Sequence, residues 1–316
     1  MSYKVDKLDP ERKYGVVITG LKEEDLNEET TRAQLRELWI EHGLVNFKVE
    51  ATPSFHVSLS KVFGELEPHP VKEYQHKDDP NLLAVIFDPE KTDIWEVDGK
   101  RLGAWLPWHF DLCYMPHTNH GGILRPVTRP STGGETAFID MIEAYERLPL
   151  DIRDRIEGKY VVYRMRIDPR EHTYVGGKHD IKLIRTHPRI EDVRVRQDHD
   201  YPPVVHPIVY TQPETGRKVL NLSPSMAESI HGMEKEESHE LLDYLVDHVT
   251  DEHYAYVHKW EMDDMLLWDN WRVNHKACGM EPGEYREMLR TTIKGDYNLG
   301  MYLSEFEQKL KLEQTA

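Results

Sequence analysis

The sequence predicts a mainly β fold of the sandwich or barrel kind with helices at its periphery, an α+β protein. Three observations carry this. From about residue 105 the chain breaks into short apolar runs divided by Gly, Pro and Asn, at 109–115, 121–126, 135–139, 160–167, 204–210, 218–222, 265–268 and 286–294. Only two stretches of that region read as helix, about 140–157 and 234–249; in the second, Leu241, Leu242, Leu245, Val246 and Val249 form one stripe. The 316 residues, 39% hydrophobic and without a repeat or low-complexity tract, suffice for a large buried core.

The N-terminal part differs. Residues 14–19 read as a strand, and 28–43 as an amphipathic helix with Leu35, Leu38 and Trp39 on its stripe and Gly43 as C-cap. Leu44 to Val49 reads as a buried strand. A helix over 53–63 follows, opened by Pro53 and closed by Gly64. The segment 68–80 reads as a loop, Leu82 to Phe87 as a strand and 88–104 as turns. No linker divides the chain. One domain is expected, with an α/β part over about 1–104 packed on a β core over about 105–297. The polar stretch 168–203, rich in His and Arg and holding Gly176-Gly177, is expected to be a long loop acting as a lid.

Composition narrows function. With 40 basic and 57 acidic residues the net charge is −17, which argues against a nucleic-acid or anionic-membrane binder. No apolar run approaches the ~20 residues of a membrane span, and Met-Ser-Tyr-Lys-Val-Asp lacks a signal-peptide core. Two cysteines make no disulfide scaffold, so a cytoplasmic setting is expected.

The 18 histidines must be sorted by spacing. In Trp108-His109-Phe110-Asp111, strand alternation would put His109 and Asp111 on one face. A third ligand is sought near His69, among His172–His206, or at His275; His275 follows the apolar run Met265-Leu-Leu-Trp-Asp-Asn270, and a ligand just beyond a rigid strand is well positioned. Two histidines and a carboxylate with open positions suit non-haem Fe(II). Alone, H-x-D…H is a weak pattern, more often that of unrelated structural or surface residues. Arg286 and Arg290, four apart on a predicted strand, would share one face and could grip carboxylates, unless Glu284 and Glu287 neutralise them on a solvated edge. A co-substrate with a carboxylate at each end, such as 2-oxoglutarate, would fit such a face and the metal together.

With those residues in place, the sequence resembles the taurine dioxygenase/2,4-dichlorophenoxyacetate dioxygenase-like (TauD/TfdA) Fe(II)/2-oxoglutarate oxygenases over about residues 14–297. The resemblance rests on Trp108-His109-Phe110-Asp111, Gly133-Gly134-Glu135-Thr136, Ala144-Tyr145-Glu146-Arg147-Leu148, His206-Pro207, Thr215-Gly216-Arg217, Trp268-Asp269-Asn270 with His275, and Arg286 with Arg290. Spacing agrees too: Thr136 follows His109 by 27 residues, and Arg286 and Arg290 follow His275 by 11 and 15.

The resemblance implies a double-stranded β-helix (jelly roll) core. It implies Fe(II) on His109, Asp111 and His275, and the distal carboxylate of 2-oxoglutarate on Thr136 and Arg286. Arg290 would meet an anionic substrate group or the co-substrate. The implied reaction consumes O2 and 2-oxoglutarate, releases succinate and CO2, and hydroxylates an unactivated C–H bond of a small anionic organic substrate. Desaturation, cyclisation or oxidative decarboxylation by the same chemistry is the alternative; a zinc-dependent hydrolase or lyase and a non-catalytic jelly-roll binding protein are the rivals outside it. Retention of Asp111 argues against a halogenase. A dimer or tetramer is implied as well.

Other residues carry weaker readings. Tyr74 and His76 lie in the loop region where relatives contact substrate. Trp105 lies four before His109, where the taurine-type pattern has a substrate-contacting Asn, so taurine itself is not the expected substrate. Trp108, Trp268 and Trp271 read as packing. Cys113 and Cys278 read as core residues rather than a thiol zinc site. His172, His179 and His187 are expected mostly to face solvent.

Overall fold

The structure, a computed structural model, describes residues 3–68, 75–77, 79–186 and 188–315, without the side chains of 188–191. Two sheets dominate. One has seven strands in the order Lys4–Lys7, Val16–Thr19, Leu44–Lys48, Asp264–Asp269, Gly121–Thr128, Arg286–Ile293 and Leu83–Phe87. The other has six, in the order Ile181–Arg185, Ile94–Val97, Lys100–His109, Val273–Met280, Thr136–Asp140 and Tyr256–His258. A cluster uniting Phe138 and Val273 of the six-stranded sheet with Leu44, Leu266, Trp268 and Met288 of the other lies between them.

Helices cover the outer faces. Glu29–His42 buries Leu35 and Trp39, and Pro53–Phe63 buries Phe55, Leu59 and Val62, all against Val45, Phe47, Ile123 and Leu267. Each such side chain contributes about 1.5–3 kcal/mol over leaving it exposed. Both helices end as the sequence predicts: Gly43 takes φ 69° with its N–H on the Trp39 carbonyl, and the Thr52 side chain accepts from the Phe55 N–H. The Leu241, Leu242, Leu245, Val246 and Val249 stripe of Lys235–Val249 is buried, with Ala137, Ile139 and Ile142 in the same cluster. Strands covered on both faces carry continuous apolar runs, as Asp264–Asp269 does over Met265–Trp268, and it is buried throughout.

The N-terminal strands are woven into these sheets. Val16–Thr19 pairs in parallel with Leu44–Lys48, which pairs antiparallel with Asp264–Asp269, while Leu83–Phe87 pairs with Arg286–Ile293.

Several expectations are corrected. Residues 88–104 are not turns: Ile94–Val97 and Lys100–His109 form a hairpin around Asp98-Gly99, whose φ values of 49° and 80° suit the left-handed two-residue turn that Asp-Gly favours. The strand expected at 109–115 instead ends at His109. The helix over 140–157 is two, Met141–Arg147 and Leu150–Ile156, because Pro149 drives Leu148 to extended geometry. The strand over 160–167 stops at Tyr163. The stretch 168–203 is not a structureless loop: it holds a short 3-10 turn, the Ile181–Arg185 strand paired with Ile94–Val97, and the helix Pro188–Asp200.

Candidate functional site

His109 closes the Lys100–His109 strand and faces His275 directly across the ladder to Val273–Met280, with ring centroids 4.3 Å apart. His275 therefore lies inside a strand of its own, not merely just beyond the one before it. Asp111 arrives by a different route from strand alternation. The chain turns after His109, with Leu112 at φ 60°, and Asn270 staples the turn: its Oδ1 accepts from the Asp111 N–H at 2.7 Å, and its Nδ2 donates to the Asp111 carbonyl at 3.1 Å. The result is convergence. Asp111 Oδ1 lies 3.7 Å from Nε2 of both His109 and His275, and one ligand atom from each residue falls within 4.8 Å of the others.

The protonation states suit a divalent metal. His109 Nδ1 lies 2.8 Å from the Pro107 carbonyl, which only accepts, so Nδ1 carries the proton and Nε2 presents its lone pair. Burial first, then the neighbouring His109, depresses His275 to about 3, leaving it neutral. Burial would raise Asp111, but Arg290 and the two histidines outweigh it and hold the carboxylate ionised.

These three groups open into a cavity of about 450 Å³ between the sheets. Thr136, Arg286, Arg290 and Trp105 line it, as predicted for a site, and so does Trp268, which was read as packing alone. The arginines share one face of Arg286–Ile293, and neither Glu284 nor Glu287 neutralises them: Glu284 accepts from Ser131, and Glu287 accepts from Tyr285. They differ in partners. Arg290 Nη2 is 2.5 Å from Asp111 Oδ2, and its Cζ lies 5.0 Å over the Trp268 ring. Arg286 is only 6% exposed and makes no hydrogen bond or ion pair among the described residues; burial pulls its pKa down to about 10. Thr136 Oγ accepts from the Trp260 indole N–H at 3.1 Å, so its own O–H is left to donate. A buried guanidinium uncompensated among the described residues, lining the same cavity as a hydroxyl donor, fits a carboxylate, and the two imidazoles with one carboxylate fit Fe(II).

The remaining expectations divide. Trp108 points away from the cavity into an outer cluster, and Trp271 stacks on His120 at 4.0 Å. His76 is not on the cavity wall; its N–H donates to the Leu82 carbonyl. Tyr74, His69 and His187 lie outside the described residues. Both cysteines are free, and the metal-competent cluster among the described residues contains neither. His179 is exposed beside Asp98, but His172 is buried rather than solvent-facing, with Nε2 on the Arg166 carbonyl. Asn270 was read only as part of a motif, without a role; its position between an apolar strand and the third ligand was the available signal. Ile167 and Pro169, which bound the cavity, carried no signal in the chain.

The sequence model of the family described as "Taurine catabolism dioxygenase TauD, TfdA family" matches residues 5–292. The chain belongs to this family. Pentalenolactone F synthase of Streptomyces arenae is 27% identical over 301 residues, covering 92% of this chain and 95% of that protein. An (S)-phenoxypropionate/alpha-ketoglutarate-dioxygenase of Sphingobium herbicidovorans is 29% identical, covering 90% and 92%. The crystal structure of a taurine dioxygenase from Burkholderia xenovorans superposes with a TM-score of 0.68 at 27% identity, covering 94% of this chain and 90% of that one. The protein is an alpha-ketoglutarate-dependent dioxygenase with a jelly-roll core, dependent on Fe(II), 2-oxoglutarate and O2. Among the described residues no helix is long and apolar enough to cross a membrane.

Proposed function

We propose that this dioxygenase hydroxylates an unactivated C–H bond of its small organic substrate, with release of succinate and CO2 from 2-oxoglutarate. In this reading His109, Asp111 and His275 hold Fe(II), Thr136 and Arg286 hold the distal carboxylate of 2-oxoglutarate, and Trp105 and Trp268 bound the space for the substrate. The metal, when bound, supplies activation of O2 coupled to decarboxylation of the co-substrate. The chain's part is placement. The Pro107 carbonyl orients the His109 ring, Asn270 anchors the Asp111 backbone, and the aromatic walls exclude water from the reacting carbon.

The observation that carries the reading is Arg286: a desolvated cation without a partner among the described residues, in the same cavity as the triad. The sequence expectation of an anionic substrate rested on Arg290, and Arg290 already has a carboxylate partner in Asp111. A cytoplasmic setting belongs to the same reading; Cys113 and Cys278 are both free thiols. The test is aerobic incubation with Fe(II), 2-oxoglutarate and a panel of sulfonates, aryloxyalkanoates, their neutral esters, amino-acid derivatives and phosphonates. Succinate release that requires both Fe(II) and O2 is expected. Turnover supported by Zn(II) without succinate would reject the proposal in favour of a hydrolase or lyase.

A further inference from the structure

Thr136, on the cavity wall, is tied to a residue that does not line the cavity. Its Oγ accepts from the indole N–H of Trp260 at 3.1 Å. An indole nitrogen can only donate, so the hydroxyl proton must point away from that ring. The directions left to it include the space Thr136 shares with Arg286.

Trp260 is itself held. It is buried in the cluster between the two sheets, and its ring meets the His258 imidazole edge-on, with centroids 4.6 Å apart. His258 lies opposite Thr136 in the ladder between Tyr256–His258 and Thr136–Asp140. Both nitrogens of that imidazole are occupied: Nε2 lies 3.1 Å from Asp264 Oδ2, and Nδ1 lies 3.0 Å from the Tyr256 hydroxyl. Burial would raise Asp264, but hydrogen bonds from His258, Lys48 and Asn46 hold it well below the usual carboxylate range. The carboxylate therefore accepts from Nε2–H, and Nδ1 accepts from Tyr256. Lys48 Nζ at 2.7 Å and Asn46 Nδ2 at 2.8 Å reach Asp264 from the neighbouring strand of the seven-stranded sheet. The chain Asp264, His258, Trp260, Thr136 thus crosses from one sheet to the other and ends at the cavity. Such a network fixes orientation, because a polar member that turned would lose a buried hydrogen bond.

We propose that Trp260 is a positioning residue for the co-substrate: its N–H fixes the Thr136 hydroxyl so that the proton is presented to the distal carboxylate of 2-oxoglutarate. The proposal rests on the reading above that Thr136 and Arg286 hold that carboxylate. A hydroxyl aimed in advance binds without first losing rotational freedom or another partner.

The test is a double-mutant cycle on Fe(II)-loaded protein without oxygen, with 2-oxoglutarate affinity measured by titration calorimetry. Trp260→Phe is expected to weaken binding about three- to tenfold, and Thr136→Val about 10–100-fold. The two together are expected to weaken it no further than Thr136→Val alone, and Thr136→Ser, which keeps the hydroxyl, to keep the Trp260→Phe loss. Wild-type affinity in Trp260→Phe overturns the proposal. So does a loss of the same size with or without the Thr136 hydroxyl, since Trp260 would then act through packing alone. If Trp260→Phe does not fold, replacement of Trp260 by 3-benzothienylalanine, of the same shape with sulfur for the N–H, decides: weaker 2-oxoglutarate binding supports the proposal, and wild-type affinity overturns it. Unchanged affinity in both Thr136→Val and Arg286→Met is a separate result. It removes the co-substrate from these residues, and the proposal falls with that reading.

Discussion

Arg290 and Arg286 leave the same face of one strand, yet the two ends of the cavity they serve are built differently. At the metal end each charge has a partner: Asp111 is held by Arg290 through its side chain and by Asn270 through its backbone. At the other end Arg286 is buried without an anion among the described residues. A third pair, behind the site, sharpens the contrast. Asp140 and Arg272 are both almost fully buried and bonded to each other, with Arg272 also donating to the Ile40 and Glu41 carbonyls and Asp140 capping the helix Met141–Arg147. That network is complete and lies outside the lining of the cavity at the triad, so it reads as architecture. An incomplete one inside a cavity reads as a place for a ligand, since a desolvated charge persists where something else in the working cycle compensates it.

The largest expected effect lies at the metal end. His275→Ala removes a ligand, so turnover should fall to background, beyond the roughly 10–100-fold typical of outer partners, and Fe(II) titration should register the loss directly. Near-normal activity would remove His275 from the triad. Next comes the structural pair. Arg272→Met leaves Asp140 buried alone and should cost about 3–5 kcal/mol of folding stability, read as a lowered denaturation midpoint with unchanged 2-oxoglutarate dependence in whatever folded protein remains.

Arg286→Met should behave in the opposite way. It raises the 2-oxoglutarate requirement by about 10–100-fold, the range of one charge-assisted interaction, but leaves the ligand-free protein as stable as wild type or more so, because a strained cation is removed. A loss of stability as large as that in Arg272→Met would mean that Arg286 has a structural partner, and the contrast between the two ends would fail. The smallest effect is expected for Asn270→Ala. It frees the turn that carries Asp111 without touching a ligand, so Fe(II) affinity should weaken about tenfold while 2-oxoglutarate affinity at saturating metal stays close to wild type.

Much of the local architecture was legible because it is written in short-range chemistry. Gly43 after an amphipathic stripe ends a helix where it should, and Pro53 opens the next. The alternation Arg286, Met288, Arg290 put both guanidiniums on one face, as the strand has them. The failures have equally local causes. The hairpin at Asp98-Gly99 was passed over although Asp-Gly between β-capable runs is a hairpin signal. His275 was placed just beyond a strand because Asn270 interrupts the apolar run; a second strand, Val273–Met280, starts three residues later and includes polar Asn274, bonded to the Leu222 carbonyl, and Lys276, paired with Glu252. Residues 168–203 looked like a loop because polar composition does not reveal pairing with Ile94–Val97, far back in the chain.

What the sequence determined by itself is the set of reactive groups and their chemical type: two histidines and a carboxylate, two arginines, and a threonine, spaced so that strands could present them. These follow from residue identity and from periodicities of two and 3.6, which act over a few residues. Tertiary structure decided how the groups are shared. That Asp111 meets His109 through a stapled turn rather than along a strand, and that Arg290 is already bound to Asp111 while Arg286 has no anion among the described residues, depend on distances between segments up to 179 residues apart. No local pattern encodes such distances, because they arise only when two sheets pack face to face and the charges between them must find partners or a ligand.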